Sequence, residues 1–162
     1  MSRTRRRIMA GAAIAMLALG AVQIAHAIGY PPRCSSTGLG LRPNGPAETA
    51  GTIRTAWVLT NLSRAACYLD GHPVLRLYGT LGRPFAFVQR SPPASGPVGL
   101  GPGGVATFFT SYRIAPSGKR CPTSGVMGVD LPLGRGTLAI PAVMHLCGAL
   151  WVSGFVRGIR AP

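Results

Sequence analysis

Few residues in this 162-residue chain have the types and spacing for chemistry. Met144-His145-Leu146-Cys147, with the distant His72, contains the ligand types of a blue-copper site: two His, a thiolate Cys and a weak Met. The order in this final loop is wrong for the usual run of Cys, then His, then Met. A sulfur held in a disulfide cannot also be a thiolate ligand, so secreted copper binding through His72, His145 and Met144 stands only as an alternative reading. Ser-His-Asp catalysis needs a base at hydrogen-bond distance from its nucleophile. His26 lies in the leader described below, which leaves only His72 and His145 for that role. No G-x-S-x-G elbow occurs, and Ser95-Gly96 and Ser153-Gly154 lack the rest of one. Asp70 and His72 are near neighbours in a tight turn, which suits turn capping better than orientation of a catalytic imidazole. Glu48, Asp70 and Asp130 are the only carboxylate side chains, which argues against carboxylate clusters and two-metal sites. No catalytic residue, metal or cofactor is expected.

Two further motifs read as structure. Gly99-Leu100-Gly101-Pro102-Gly103-Gly104 matches G-x-G-x-x-G, but a dinucleotide fingerprint needs a strand before it, a helix after it and an acid about twenty residues on. Pro102 interrupts the motif, a strand-like run follows, and Lys119 and Arg120 stand where the acid would be. A tight turn entering a strand is expected. Asn61-Leu62-Ser63 is formally a glycosylation sequon, but it reads as the turn that ends a strand, with the Asn side chain bonding backbone groups.

The charge balance of 17 Lys+Arg against 3 Asp+Glu gives +14, part of which belongs to a leader. Residues 1–27 read as an export signal of Sec or twin-arginine type. Arg3, Arg5, Arg6 and Arg7 precede an apolar stretch over 8–22, and Ala25-His26-Ala27 supplies the small-x-small pattern for cleavage between Ala27 and Ile28. Gly11 and Gly20 interrupt that stretch, which disfavours a permanent membrane span. Cleavage would leave 135 residues with 13 basic and 3 acidic groups, a net +10, arranged as a short linker over 28–33 and one domain over 34–162. The expected address is secreted, extracellular or associated with the cell envelope. Sixteen Arg against one Lys suggest GC-rich coding and a bacterial source.

The remaining arginines are dispersed, and Lys119-Arg120 is their only adjacent basic pair. Nucleic-acid readers cluster cations and interleave aromatics, so nucleic acid is not expected. Anionic cell-wall polymers or a membrane surface are the partners such a charge would meet. Lys119, Arg120, Arg157 and Arg160 are the candidate polyanion contacts. The plain alternative is that the arginines only keep the fold soluble.

The elements that must position these residues are strands. Gly and Pro make up 38 of 162 residues, which argues against a helical bundle. Short runs alternate with turn residues at 38–42, 52–60, 67–69, 74–78, 85–90, 105–112, 125–131, 136–140 and 149–155. In 52–60, Ile53, Thr55, Trp57 and Leu59 share one face. The expected fold is an all-β, immunoglobulin-like antiparallel β-sandwich of about seven or eight short strands. Cys34, Cys67, Cys121 and Cys147 are an even set in an exported chain, without a Cys-x-x-Cys spacing, and so favour two disulfides. The start of one antiparallel strand lies beside the end of the next. That places Cys34 beside Cys67, and Cys121 beside Cys147.

These residues together resemble the domain-of-unknown-function 4232 family. The resemblance rests on Cys34 before a Leu-containing strand, on 52–60 running into Asn61-Leu62-Ser63, and on Cys67-x-Leu69-x-Gly71-x-Pro73. Val98-x-Leu100-x-Pro102-Gly103-Gly104, Cys121-Pro122 and Cys147 followed by Val152-Ser153 extend it over about 34–155. The resemblance implies a β-sandwich exported or lipid-anchored by GC-rich Gram-positive bacteria. It supplies no activity or catalytic residue, and this chain lacks the lipid-anchor Cys.

Overall fold

The computed structural model describes residues 31–114 and 118–162. The leader, its Ala27–Ile28 junction and the first part of the 28–33 linker lie outside the described residues. Thr49 pairs with Thr52 across a two-residue turn, joining β1 (Leu39–Thr49) to β2 (Thr52–Asn61). Ala50 and Gly51 both have positive φ, at 48° and 70°. This is the left-handed pair that a tight hairpin needs to match the twist of its strands. β1 runs well past the expected 38–42 because a bulge between Pro43 and Pro46 absorbs the prolines. That arrangement is tolerated because β1 is an edge strand, where the missing N–H groups face no partner.

β2 lies between β1 and β7 (Val105–Arg113), with Trp57 opposite Phe108 and Arg54 opposite Ser111. The sheet continues through β10 (Leu150–Val152) to β5 (Gln89–Arg90), and β11 (Val156–Arg157) pairs with the other end of β7. The second sheet is β4 (Val74–Gly79), β8 (Ser124–Asp130) and β9 (Thr137–Pro141). β3 (Cys67–Leu69) and β6 (Val98–Leu100) form a two-stranded ribbon. The architecture is an all-β sandwich, antiparallel except where β10 meets β5.

Among the described residues there are eleven strand segments, and the layout departs from the expected one in three places. The run at 85–90 is a crossover. Phe85 N–H donates to Leu77 O in one sheet, while Val88 O accepts from Leu150 N–H in the other, so only Gln89–Arg90 joins a ladder. Phe85 and Phe87 still pack on the core, which preserves the period-two pattern without ladder pairing. Val98–Leu100 is a strand although its glycine motif reads as turn. The run at 149–155 divides into β10 and a turn leading to β11.

Alternation sets the core. Leu59, Trp57, Phe108 and Tyr112 from one sheet meet Leu75, Leu77, Met127 and Val129 from the other. Trp57 stacks on Phe108 with ring centroids 6.5 Å apart, and Phe155 meets Phe108 edge-on at 6.1 Å. Trp57 Nε1–H donates to Thr110 Oγ1 at 2.9 Å, so the indole's polar atom is satisfied inside the apolar layer. The disulfides are Cys34–Cys67 and Cys121–Cys147, each with Cα atoms 4.9 Å apart. The folded unit begins before Cys34. Tyr68 N–H donates to Pro32 O and Arg33 bridges to Tyr68, so Pro32 and Arg33 belong to the fold and not to a free linker. No helix among the described residues is long and apolar enough to cross a membrane.

Candidate functional site

The strand registers of the larger sheet bring together residues far apart in sequence. Ala47 pairs with Arg54, Arg54 with Ser111, Ser111 with Trp151 and Trp151 with Arg90. Paired residues point to the same face of a sheet. Leu150 and Val152 are fully buried, so alternation turns Trp151 away from the core, and it is 47% exposed. Arg90 lies over the Trp151 ring at 5.8 Å, and Arg54 lies over the Phe109 ring at 4.1 Å. Each is a cation–π contact that positions a long side chain on the sheet while its charge stays at the surface.

Two clefts flank this row. The larger, of about 810 Å³, is lined by Thr52, Ser111, Arg113, Lys119, Ala149 and Trp151 among others. The smaller, of about 290 Å³, is lined by Arg54, Pro92, Phe109, Ser111, Trp151 and Ser153, with Val152. Ser111 and Trp151 line both, so the two form one groove across the outer face. No carboxylate lines either cleft. Asp70 is 3.9 Å from Arg33, and Asp130 accepts from Arg76 Nε at 2.6 Å and also from Thr137 Oγ1. That second partnership holds the Arg76 guanidinium above its ordinary pKa, through the Asp130 hydrogen bond first and charge second.

Part of the outer face is covered by the terminal segment. Thr107 Oγ1 donates to Gly158 O at 2.7 Å and accepts from Arg160 N–H at 3.3 Å. Asn44 Nδ2 donates to Arg160 O at 3.1 Å. The terminal segment therefore reaches from β7 to β1 over β2, and Val58, between them in the register, is fully buried although it faces outward. The groove at Trp151 is left open by that segment.

The structure divides the four basic residues singled out in the sequence. Lys119 lines the larger cleft, near the Arg113 end of β7. Arg157 pairs with Ala106 near the other end, roughly 23 Å away at the rise of a strand, and its guanidinium points toward Gly99 of β6. Arg160 is exposed beyond it, and Arg120 is exposed next to the Cys121–Cys147 bridge. Sequence reasoning did not group Arg54, Arg90 and Trp151. The outward position of Trp151 between Leu150 and Val152 was the available signal.

The copper grouping does not assemble. Val74, two residues after His72, pairs with Asp130, whereas His145 bridges to Thr123 just before β8. The two histidines therefore sit at opposite ends of β8, on the order of 20 Å apart. Met144 is buried in the core, while His145 next to it is exposed, with Nδ1 2.9 Å from Thr123 Oγ1. Cys147 is in a disulfide, and the described residues hold no cluster of three or more His, Cys, Asp or Glu. Ser153 Oγ accepts from Phe109 N–H at 2.8 Å and donates to Gly154 O, so it is tied into the sheet.

The glycine motif is a turn clasped by Asn61. Gly104 N–H donates to Gly101 O at 2.8 Å, with Pro102 and Gly103 between them and Gly103 at φ +70°. These are the requirements of a type II turn. A Cβ on Gly104 would fall 2.8 Å from Gly101 O, so the position accepts only glycine without a backbone shift. Asn61 is 1% exposed. Its Nδ2 lies 2.8 Å from Ala65 O, 3.1 Å from Leu100 O and 3.1 Å from Gly101 O. Its Oδ1 accepts from Ser63 N–H and Oγ. An amide so engaged is closed to glycosylation.

Fold and site together define a disulfide-linked β-sandwich with an open, cationic and aromatic groove on one sheet. The chain belongs to the family of the domain of unknown function DUF4232, whose model matches residues 34–145. No curated protein and no solved structure matches it.

Proposed function

We propose that this chain is a secreted, non-enzymatic binding module that adheres to anionic polymers of the cell envelope. The observation that carries the reading is the groove on the outer face, where Arg54, Arg113 and Lys119 line the clefts, Arg90 approaches Trp151 from one side, and no carboxylate takes part. Cations without neighbouring acids present an uncompensated positive potential, which attracts polyanions from a distance. Two disulfides suit an oxidising compartment, and the leader over 1–27 supplies a route to it. Retention of the disulfide-intact protein on purified cell-wall material tests the reading. Binding at about 0.05 M salt should be lost by about 1 M, where the screening length falls to about 3 Å. Retention that does not change with salt overturns the electrostatic mechanism.

A further inference from the structure

We infer that the groove around Trp151 is a subsite for an anionic glycan, a sugar polymer carrying carboxylate or phosphate groups. This deepens the adhesion reading above and rests on it. Of the three aromatic residues that line the groove, Tyr112 is buried and Phe109 already carries the Arg54 guanidinium at 4.1 Å. Trp151 keeps nearly half of its surface open, and Arg90 approaches it from one side at 5.8 Å. An indole face presented on a rigid strand is an apolar shelf the size of one sugar ring. The C–H groups on a pyranose face can stack there while its hydroxyls turn outward.

The polar groups around the shelf complete the match. Ser111 pairs directly with Trp151 and lines both clefts. Arg54 and Arg90 flank Trp151 along the sheet, on either side of the Ser111–Trp151 pair. Adjacent strands are about 4.8 Å apart. A chain lying across the strands would therefore place one ring on Trp151, with the Arg90 strand roughly one sugar residue away on one side and the Arg54 strand roughly two away on the other. Guanidinium groups bind carboxylate and phosphate through paired N–H donors. The charge complementarity is one-sided, since no acid lines the groove. A membrane surface is the poorer occupant, because Trp151 sits in a strand between two clefts and not on a projecting loop tip. A nucleic acid would want successive stacking platforms, and only one open ring is present here.

The test uses tryptophan fluorescence and affinity measurement on the disulfide-intact protein. The probes are oligogalacturonate, its fully methyl-esterified form, poly(glycerol phosphate), a thymidine oligonucleotide and phosphatidylglycerol vesicles. Trp57 is buried and Trp151 exposed, so a fluorescence change on binding reports on Trp151. Oligogalacturonate is expected to bind best and to perturb that signal. Trp151→Ala should weaken it at least tenfold, and Trp151→Tyr should restore most of the binding. Arg54→Ala and Arg90→Ala should each weaken it severalfold. Equal binding of poly(glycerol phosphate), with Trp151→Ala without effect, overturns the glycan subsite and leaves charge-based adhesion standing. Tighter binding of the oligonucleotide or the vesicles also overturns it. Failure of every anionic probe overturns both readings.

Discussion

Asn61 shows how much one buried amide can do. It ends β2, closes the Asn-Leu-Ser turn through Ser63, and holds the Leu100–Gly104 turn through two carbonyls. Asn61→Ala removes the amide donor from Leu100 O and Ala65 O and leaves Gly101 O with the Gly104 N–H alone, and an unsatisfied buried polar group costs about 1–3 kcal/mol. Denaturant unfolding should show a loss in that range or above it, since several groups are involved. Asn61→Asp is expected to be no better, because it replaces the donor with a charge. Tyr112 makes a second residue-scale case. Burial pushes its phenol above the ordinary tyrosine value, against a smaller opposing hydrogen bond from the His145 backbone. A phenol with a raised pKa in the folded state holds its proton more tightly there than in the unfolded chain. Its contribution is fully present below the unfolded value and is lost as pH rises through about 10 toward the folded value. Stability should fall with rising pH across that window, and Tyr112→Phe should flatten the slope. Parallel slopes for the two proteins would contradict this.

At the scale of elements, the edge hairpin carries a visible strain. Ala50 takes a left-handed backbone that L-residues other than Asn, Asp and Gly adopt at a cost of about 1–2 kcal/mol. Ala50→Asn should stabilise the protein by up to about 1 kcal/mol, read as a rise in the denaturant midpoint with an unchanged slope. A fall in the midpoint would show that the turn is not of this type. The same hairpin explains what could be read in advance. β2, β3, β4 and β7 were legible because their alternation is uninterrupted, and their observed bounds lie within a residue or so of those expected. β1 was legible only at its start, because Pro43, Gly45 and Pro46 signal a break unless one knows that the strand is an edge with a bulge. β6 was hidden inside a glycine motif whose second half really is a turn. The disulfide layout followed from strand order, since a hairpin's outer ends meet whatever its interior does.

At the scale of the molecule, the sequence held the charge balance but not its geography. Arg54, Ser111, Trp151 and Arg90 are scattered over nearly a hundred positions. Only the register β2–β7–β10–β5 puts them in one row. Register between distant strands leaves no local mark, which is why Arg157 and Arg160 looked as eligible as any other cations. Their placement near the far end of β7, with the Arg160 backbone tied into the sheet's own cover, separates them from the groove. The proposed adhesion belongs to this groove and not to overall charge. Two charge-reversed proteins, Arg54→Glu/Arg90→Glu and Arg157→Glu/Arg160→Glu, change net charge equally and differ only in location. Their affinities for one anionic envelope polymer, measured side by side at low salt, separate the groove from the overall charge. The first pair is expected to lose binding by tenfold or more while the second stays within about threefold of the parent. Equal losses in the two would contradict it.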